Sequence, residues 1–537
     1  MSDPPDLSIG LAQLNVVVGD IDGNARRAVA AARGLAERRG VRLVLLPELA
    51  LVGYPPDDLL LRPDLPERID TALDAMAAGL ADSGVAVLVG APLGSGNERY
   101  NAAVVLDAGE RLAAGCKRCL PNYGVFDEKR YFRAATESAV FSLDGRRLGL
   151  IVCEDLWDPE PCADVAAAGA EAILCINASP YHRGKHDARR AVAGERVAAT
   201  GLPLVYLNQV GGQDDLVFDG GSFVLDGAGN EIAGLEQFVE ADGAVTLAHD
   251  GRVVPAAGTA TAPRLDPAES IYRAIRLAVA DYVGKNGFGG VYVGLSGGID
   301  SALTLALAAD ALGPERVTAV LMPSRYTAQM SLDDAAEEAR RLGVAHLTLS
   351  IEGPYEAFLE ALAGPFAGRQ PDTTEENIQA RSRGVLLMAL ANKNNAIVLS
   401  TGNKSEMAVG YATLYGDMVG GFAPLKDVAK TRVYELARWR NGCGAVIPER
   451  VLERAPSAEL AADQADTDSL PPYEVLDPIL EALVERDDRV DEIVAAGYDT
   501  ELVRQVARML VRSEYKRRQA APGPKVSPRA FGRERRY

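Results

Sequence analysis

The segment VYVGLSGGIDS, residues 291–301, constrains this chain more than any other feature. A short apolar run stops there at a Ser-Gly-Gly turn, and a helical pattern begins directly after it. Such a strand, turn and helix N-terminus form a phosphate cradle, because glycines let backbone N–H groups converge on an anion and the helix dipole favours it. No Lys-Ser/Thr pair follows the glycines, so the turn is not a Walker A loop. The segment predicts a nucleotide site at the end of a strand.

The SGGxDS pattern of residues 296–301 resembles the pyrophosphate loop of the N-type ATP pyrophosphatases. The resemblance implies cleavage of ATP between its α- and β-phosphates and transfer of AMP to a substrate oxygen. A nucleophile would then displace the AMP. The rest of the sequence has to indicate what is adenylylated and what attacks.

Two halves follow from the pattern of apolar runs, and both predict an α/β fold. In residues 1–250, strands alternate with helical patterns, and the sheet content is large. A stretch rich in Ala, Gly and Pro at 251–265 predicts a linker. In residues 266–520, strands and helices alternate as in a doubly wound parallel sheet, which binds ligands at the carboxyl ends of its strands. Residues 521–537 form a basic C-terminal tail.

Overall charge and composition exclude several classes of protein. The formal net charge of −19 argues against nucleic-acid binding and against attraction to an anionic membrane. We expect no membrane span, because no apolar run reaches the roughly 18 residues that one requires. Six cysteines in 537 residues make no disulfide framework, and the N-terminus lacks the features of a signal peptide, so we expect a cytoplasmic protein. The tail is locally basic, which fits either a solvated segment or a clamp over an anionic ligand.

Three polar residues in the first half lie at or just past the ends of predicted strands. They are Glu48, Lys117 and Cys153. A cysteine at a strand end can present its sulfur at a cleft, and a carboxylate can take the thiol proton and later activate water. A lysine can stabilise the oxyanion of a tetrahedral intermediate. A lone cysteine after an apolar strand is more often inert core, so its surroundings decide between the two interpretations.

Those surroundings resemble the nitrilase superfamily. The strings LPELALVGYPP, KRCLPNYGVFDEKRYF and VCEDLW are similar to its three catalytic blocks. The resemblance implies an α-β-β-α sandwich in which Glu48 is the general base, Lys117 the oxyanion stabiliser and Cys153 the nucleophile. The stretch NASPYHRGK (177–185) resembles the part of nitrilase-type glutaminase domains that holds the substrate. It implies that glutamine is bound by Tyr123, Ser179 and Lys185.

Two acidic residues in the second half of the chain, Asp300 and Glu406, fit a shared metal site. Asp300 lies in the phosphate turn, and Glu406 lies at the start of a helix after the strand that ends near Ser400. Mg²⁺ prefers one or two carboxylates together with phosphate oxygens, so we expect it between these two. An adenine or ribose is expected near Met322. Arg381 and Arg383, on a long helical pattern, are candidates to meet a phosphate or a carboxylate.

Further strings in this half resemble the NAD synthetase family, whose members amidate nicotinic acid adenine dinucleotide. They are TEENIQARSRG, STGNKSEMAVGYATLYGDMVGGFAPLKDVAKT, RAPSAEL and DSLPPYEVLD. The resemblance implies an adenine nucleotide alpha hydrolase-like fold, Mg²⁺ on Asp300 and Glu406, and dinucleotide contacts from Asn377, Glu406 and Lys516. It implies ATP contacts, with ATP as a co-substrate, from Gly294, Leu295, Ser296, Gly297, Gly298, Ile299, Asp300, Ser301, Met322, Thr401 and Lys430.

Together the halves resemble the glutamine-dependent NAD synthetase family over nearly the whole chain. The resemblance implies a glutaminase that supplies ammonia through an internal tunnel to a synthetase site. The partners expected are glutamine, ATP, nicotinic acid adenine dinucleotide and further copies of the chain in a homo-oligomer, with no nucleic acid and no membrane. Three alternatives stay open: a synthetase for another adenylylated acceptor, an ammonia-dependent synthetase with an inactive amidase half, and a non-catalytic dinucleotide sensor.

Overall fold

A computed structural model describes residues 5–456, 459–461, 466 and 470–532 of the protein. The chain divides into two compact units. The first comprises residues 1–213 and 217–264, and the second comprises residues 214–216 and 265–537. The stretch expected as a linker, 251–265, contains one short strand, Val253–Pro255, which pairs with Ala241–Leu247 of the first unit.

The elements of the first 264 residues follow each other closely along the chain. The strands are Leu7–Gln13 (β1), Leu43–Leu45 (β2), Ala86–Leu93 (β3), Tyr100–Asp107 (β4), Glu110–Cys116 (β5), Ala139–Leu143 (β6), Arg146–Val152 (β7), Ala172–Asn177 (β8), Leu204–Asn208 (β9), Val210–Gln213 (β10), Leu216–Asp219 (β11), Phe223–Leu225 (β12), Glu231–Gly234 (β13), Ala241–Leu247 (β14) and Val253–Pro255 (β15). The helices are Ile21–Arg39 (α1), Leu65–Leu80 (α2), Pro159–Ala167 (α3) and Lys185–Thr200 (α4).

Two sheets form the centre of the first unit. Within residues 5–264, one sheet has the order β15-β14-β1-β2-β3-β4-β5 and the other the order β13-β12-β9-β8-β7-β6. Apolar side chains of both sheets share one core, and they come from alternate positions along each strand, such as Ile9 and Leu11 on β1 and Leu148 and Leu150 on β7. Helices α1 and α2 pack on the first sheet, and α3 and α4 cover the second. The expected α-β-β-α sandwich is confirmed.

The second unit has fewer strands and more helices. Its strands are Gly290–Gly294 (β16), Val317–Leu321 (β17), Ala345–Thr348 (β18) and Ala396–Leu399 (β19). Its helices are Pro267–Lys285 (α5), Ile299–Leu312 (α6), Gln329–Leu342 (α7), Glu352–Leu362 (α8), Thr373–Lys393 (α9), Lys404–Val409 (α10), Lys430–Gly442 (α11), Glu449–Glu453 (α12), Tyr473–Glu481 (α13), Val490–Ala495 (α14), Thr500–Arg512 (α15) and Glu514–Arg517 (α16).

The strands β16 to β19 form a parallel sheet of order β18-β17-β16-β19, as expected for a doubly wound fold. The chain leaves β16 towards β17 and β18, and then returns to the other side of β16 as β19. Right-handed crossovers therefore place α6 and α7 on one face and α9 on the other. The reversal of direction lies between β16 and β19, which is where open α/β sheets bind their ligands.

A separate apolar cluster joins α10 to the C-terminal helices. Met407 and Ala408 of α10 pack with Leu476 of α13, Val506 of α15 and Phe531 near the end of the described chain. The helix that follows β19 is thus held by residues far away in the sequence.

In the part of the chain that the structure describes, no helix has both the length and the apolar composition needed to cross a bilayer.

Gly90 of β3 lies directly against the backbone of Pro47–Leu49, the segment that follows β2. A Cβ atom there would sit 2.2 Å from the Leu49 nitrogen and 2.5 Å from the Pro47 oxygen. We therefore expect Gly90→Ala to destabilise the first unit by about 1–3 kcal/mol, as other overpacked sites do. The measurement is calorimetric unfolding of the full chain.

Gly79 of α2 provides the matched control, since a Cβ there would meet only Val29 at an ordinary 3.7 Å. Gly79→Ala should leave the unfolding temperature unchanged or raise it slightly, because alanine favours a helix. Equal unfolding temperatures for the two variants would contradict the close packing of β3 on residues 47–49.

Candidate functional sites

The first candidate site begins at Cys153, directly after β7. Cys153 is buried and has a φ of +48°, in the left-handed region that a non-glycine residue seldom adopts. A short 3₁₀ turn, Cys153–Leu156, starts at this residue. Backbone strain of this kind is found where a side chain has to be held in one direction.

Asp155 ties this turn to the segment that carries Lys117. Its Oδ2 accepts a hydrogen bond from Val152 N at 3.0 Å, and its Oδ1 accepts bonds from Arg118 N at 2.9 Å and Cys119 N at 2.8 Å. The carboxylate thereby brings the end of β7 and the end of β5 together. No sequence pattern indicates this role for Asp155, although it lies within the VCEDLW string.

Glu48 and Lys117 form a fully buried ion pair beside the cysteine. Lys117 Nζ donates to Glu48 Oε1 at 2.7 Å, and neither side chain has any exposed surface. Asn101 Nδ2 also donates to Oε1 at 2.7 Å, and Ala178 N donates to Oε2 at 2.8 Å. Three donors hold the carboxylate in one orientation.

Charges around Cys153 decide the protonation of its thiol. Burial raises the pKa of Cys153 well above its usual value, the charge of Glu48 raises it further, and Lys117 opposes them. Burial also acts to lower the pKa of Lys117, but Glu128 and Glu48 outweigh it and hold that pKa well above normal. The resting site therefore holds a neutral thiol beside an ammonium, and the thiol needs a proton acceptor before it can attack.

Glu128 is a member of this site that the sequence did not reveal. Its Oε1 accepts bonds from Lys117 Nζ at 2.8 Å and from Tyr54 OH at 2.9 Å. Burial raises the pKa of Glu128 to about 7, with Lys117 opposing. Its Oε2 is buried and has no hydrogen-bond partner within residues 5–456 or the other described segments. The residue lies inside the quoted string KRCLPNYGVFDEKRYF, but no spacing rule singles it out there.

Tyr123 and Lys185, two of the residues expected to bind glutamine, lie around the same turn. Tyr123 OH donates to Glu154 Oε1 at 2.8 Å, next to Cys153 in the chain. Lys185 Nζ lies 3.9 Å from the centre of the Trp157 ring.

Ser179, the third residue expected to bind glutamine, is buried, and its Oγ accepts a bond from Arg189 Nε at 3.1 Å. It follows Ala178, whose backbone nitrogen contacts Glu48. Direct contact of Tyr123, Ser179 and Lys185 with glutamine stays a prediction.

The second candidate site is built on the turn between β16 and α6. Ser296 and Ser301 bond to each other across the turn, Oγ to Oγ at 3.1 Å, and Ser296 N donates to Ser301 Oγ at 3.2 Å. Gly297 has a φ of +81°, and a Cβ there would lie 2.4 Å from the Ser331 carbonyl oxygen. The turn therefore requires glycine at 297 both for its conformation and for its close packing on α7.

A cavity of about 270 Å³ opens over this turn. All of the expected ATP contacts except Gly297 line it: Gly294, Leu295, Ser296, Gly298, Ile299, Asp300, Ser301, Met322, Thr401 and Lys430. Glu406 and Arg383 line it as well. Its place at the carboxyl ends of β16 and β19 is the one that the topology favours for a ligand.

Asp300 and Glu406 meet on one ammonium in this cavity. Lys430 Nζ lies 2.5 Å from Asp300 Oδ2 and 3.2 Å from Glu406 Oε1. Asn403 Nδ2 donates to Asp300 Oδ1 at 2.8 Å. Burial raises the pKa of Glu406 to about 8, with Lys430 opposing. The two carboxylates expected to share a metal thus converge on a single cationic centre.

Asn377 and Lys516, expected to contact the dinucleotide, do not line the cavity. Asn377 Oδ1 accepts a bond from Thr413 Oγ1 at 2.7 Å, and Lys516 Nζ donates to the carbonyls of Gly410 and Ala412 at 2.6 and 2.7 Å. Both support the segment after α10, of which Ala412 lines the cavity. Their direct contact to a ligand stays a prediction.

The two candidate arginines of α9 lie in different surroundings. Arg383 lines the cavity and donates to the Met322 carbonyl at 3.0 Å, while Arg381 is exposed and donates to the Leu414 carbonyl at 3.1 Å. Burial lowers the pKa of Arg383 to about 10. Arg383 therefore stays cationic at neutral pH and is the arginine of the pair that can meet a bound anion.

Comparison with protein-family models assigns a class to each unit. Residues 8–249 match the carbon-nitrogen hydrolase family, and residues 271–520 match the NAD synthase family. The chain is therefore an amidase-type unit joined to an NAD synthase-type unit. Each match contains the site described above for that unit.

Full-length relatives join the two assignments. The glutamine-dependent NAD(+) synthetase of Xylella fastidiosa strain 9a5c is 51% identical over 539 residues, which cover 99% of this chain and 98% of that protein. The one of Thermotoga maritima is 44% identical and covers 98% and 97%. This chain belongs to the glutamine-dependent NAD(+) synthetase family.

Solved structures agree over the same length. The glutamine-dependent NAD+ synthetase of Acinetobacter baumannii, in complex with adenosine diphosphate, has a TM-score of 0.81 and 44% identity, with 99% of this chain and 98% of that chain covered. The enzyme of Cytophaga hutchinsonii has a TM-score of 0.85 at 21% identity, with 99% and 97% covered, which supports the fold.

The raised pKa of Glu128 makes the stability of the first unit depend on pH. The folded protein holds the Glu128 proton up to about pH 7, whereas an ordinary glutamate releases it near 4.5. Between these values the folded state binds the extra proton, so stability falls as the pH rises from 5 to 8. Glu128→Gln cannot ionise and should lack this term, which amounts to about 3 kcal/mol.

The measurement is the difference in unfolding temperature between wild type and Glu128→Gln, taken at each pH from 5 to 8. As the pH rises from 5 to 8, the unfolding temperature of the wild type should fall by several degrees relative to that of Glu128→Gln. Glu137→Gln, at an exposed position, serves as the control and should run parallel to the wild type. A constant difference between wild type and Glu128→Gln would contradict the raised pKa.

Proposed function

We propose that this chain makes NAD from nicotinic acid adenine dinucleotide, ATP and glutamine, with release of AMP, pyrophosphate and glutamate. The first unit hydrolyses glutamine to glutamate and ammonia. The second adenylylates the nicotinate carboxylate of the dinucleotide and replaces AMP with that ammonia. The carrying observation is that one chain contains both a buried Glu48–Lys117 pair beside Cys153 and a nucleotide cavity over the Ser296–Ser301 turn.

In the amidase unit, Cys153 Sγ attacks the side-chain amide carbon of glutamine. Glu48 takes the thiol proton as the C–S bond forms, and Lys117 Nζ neutralises the oxyanion. The proton passes from Glu48 to the amide nitrogen, and the C–N bond breaks. Ammonia departs, and the acyl group remains on Cys153 as a thioester. Glu48 then removes a proton from water while the water oxygen attacks the thioester carbon. The C–S bond breaks, glutamate leaves, and Glu48 returns the proton to the Cys153 sulfur.

Contacts at Glu48 determine which of its oxygens does this work. Oε1 already accepts bonds from Lys117 and Asn101, whereas the only bond to Oε2 in the described chain is from Ala178 N. Oε2 is therefore the oxygen with room for the moving proton. The buried Oε2 of Glu128 is suited to form a hydrogen bond with the substrate amide, as acceptor when the carboxyl is ionised and as donor when it is protonated.

In the synthetase unit, the turn at 296–301 holds the phosphates of ATP by its backbone N–H groups and the start of α6. A carboxylate oxygen of the dinucleotide attacks the α-phosphorus, and pyrophosphate leaves. Ammonia then attacks the acyl carbon, the bond from that carbon to the adenylate oxygen breaks, AMP leaves with this oxygen, and the nitrogen releases one proton to water as it becomes the amide. Lys430 and Arg383 supply positive charge within the cavity where negative charge has to be bound.

Asp300 and Glu406 are suited to hold Mg²⁺ together with the ATP phosphates. They converge on the Lys430 ammonium, so the place between them already accommodates a cation. Hard oxygen ligands from two carboxylates and a phosphate fit the preference of Mg²⁺. When bound, the ion would neutralise charge on the leaving pyrophosphate.

Ammonia links the two reactions. In neutral water it is mostly ammonium, which is not a nucleophile, so a glutaminase on the same chain supplies the neutral form. We infer that it travels inside the protein, that the chain acts as a homo-oligomer and that it works in the cytoplasm. The family resemblance, the acidic composition and the sparse cysteines support these inferences.

Product analysis tests the proposal as a whole. The full chain receives nicotinic acid adenine dinucleotide, ATP, Mg²⁺ and glutamine, and the end products are quantified by chromatography. NAD, AMP, pyrophosphate and glutamate should appear in equal amounts. Turnover of xanthosine monophosphate instead, or no turnover of any acceptor, would contradict the assigned acceptor.

Cys153→Ala separates the two half-reactions. It should abolish glutamine-dependent NAD formation, because it removes the thiol that the proposed reaction uses as its nucleophile. It should leave ammonium-dependent formation close to the wild-type rate, because the synthetase site is untouched. Both rates are measured by the increase in NAD.

Cys162→Ala is the matched control for this variant. Cys162 is also buried in the first unit, on α3, and takes no part in the site. It should retain both activities. Equal loss of the glutamine- and ammonium-dependent rates in Cys153→Ala would count against a two-site enzyme.

A further inference from the structure

The C-terminal segment Ala521–Gly532 lies beyond the residues that match the NAD synthase family, 271–520. Its basic residues were expected to be either solvated or clamped over a ligand. Two of the basic residues are buried: Lys525 donates to the carbonyls of Ser527 and Pro528 at 2.8 and 3.0 Å, and Arg517, which precedes the segment, donates to the Ala408 carbonyl at 2.8 Å. Arg533, Arg535 and Arg536 lie outside the described residues.

This segment is bonded along its length to the chain between β19 and α11. Ala423 N donates to the Pro522 carbonyl at 2.8 Å, and Lys426 Nζ donates to the Ala521 carbonyl at 2.7 Å. The carboxylate of Asp427 accepts Val526 N at 2.8 Å and Ser527 N at 2.7 Å. We call residues 521–532 the C-terminal strap.

Lys404 joins the strap to the synthetase site. Its buried ammonium contacts Asp427 Oδ1 at 2.9 Å and Glu485 Oε1 at 2.8 Å. The same Nζ donates to Ser527 Oγ at 2.7 Å and to the Arg529 carbonyl at 2.8 Å. The strap therefore supplies two of these oxygen partners.

Lys404 is also the first residue of α10, between the two residues that organise the acidic centre. Asn403, the N-cap, donates to Asp300 Oδ1 at 2.8 Å and accepts Glu406 N at 3.0 Å. Glu406 contacts Lys430 from the same short helix. A helix of six residues has little stability of its own, so its position depends on such tertiary contacts.

We propose that Lys404 and the strap are positioning elements of the synthetase site: they fix Asn403 and Glu406 so that the latter faces Asp300. The inference rests on the proposed function of that site. Neither Lys404 nor the strap lines the cavity, so both act through α10. Loosening them should displace Glu406 and weaken the binding of ATP with its metal ion.

The test compares Ser527→Ala and Lys404→Met with the wild-type full chain. KM and kcat for ATP are measured at saturating Mg²⁺ with ammonium as the nitrogen donor. Because ammonium replaces glutamine, the amidase site takes no part in the assay. The KM for ATP should rise about tenfold in Lys404→Met and severalfold in Ser527→Ala. Hydrogen exchange of the amides of Lys404–Val409 should become faster in both variants, which reports on α10 without any turnover.

Arg440→Met is the matched control. Arg440 forms a partly buried ion pair with Asp310 in the same unit, at the opposite end of α11 from Lys430. It should lower the unfolding temperature without changing the KM for ATP or the exchange of α10. If Lys404 and Ser527 had only a structural role, Lys404→Met and Ser527→Ala would likewise lower the unfolding temperature and leave the KM for ATP and the exchange of α10 unchanged.

Each outcome decides the proposal. If Lys404→Met does not fold, Ser527→Ala alone decides, since it removes a single hydroxyl. Wild-type KM and wild-type exchange of α10 in folded Ser527→Ala would overturn the inference. If the wild type itself makes no NAD, the proposed function fails, and the exchange of α10 still reports whether the strap positions it.

Discussion

A buried lysine ammonium between two carboxylates is the interaction on which this structure depends. Lys117 lies between Glu48 and Glu128, Lys430 between Asp300 and Glu406, and Lys404 between Asp427 and Glu485. One ammonium can neutralise one buried carboxylate, so the second carries a cost that burial makes large. At both candidate sites, that cost emerges as a raised pKa, of Glu128 in the first and of Glu406 in the second.

The same arrangement serves different chemistry in the two units. In the reaction proposed for the amidase unit, the ammonium stays in place and a proton moves, because burial keeps Cys153 a neutral thiol and Glu48 is the proposed base. In the synthetase unit, two carboxylates face the single ammonium of Lys430, and we propose that this excess of negative charge favours a further cation. The third lysine touches no cavity and instead holds the helix that carries Glu406.

The sequence predicted the parts of this arrangement that lie at strand ends. Glu48, Cys153 and the 296–301 turn each follow an apolar run, and a polar residue just after a buried strand can be recognised from that pattern. Glu128 was missed because its contact with Lys117 depends on how the irregular segment 117–133 folds back. For the strap the sequence left two interpretations open, a solvated segment and a clamp over an anionic ligand, because a run of basic residues does not show that Lys525 and Arg517 find buried carbonyls. Long-range partners such as Asp427 with Ser527 have no signature in local pattern.

The central claim is that nitrogen released at Cys153 becomes the amide of NAD. Glutamine labelled with ¹⁵N in its side-chain amide is supplied with ATP, Mg²⁺, nicotinic acid adenine dinucleotide and an excess of unlabelled ammonium. Mass spectrometry then measures ¹⁵N in the nicotinamide of the product. We predict enrichment well above that of the ammonium in solution, because ammonia passes within the protein. NAD whose amide carries only the isotope ratio of the bulk ammonium would contradict the account.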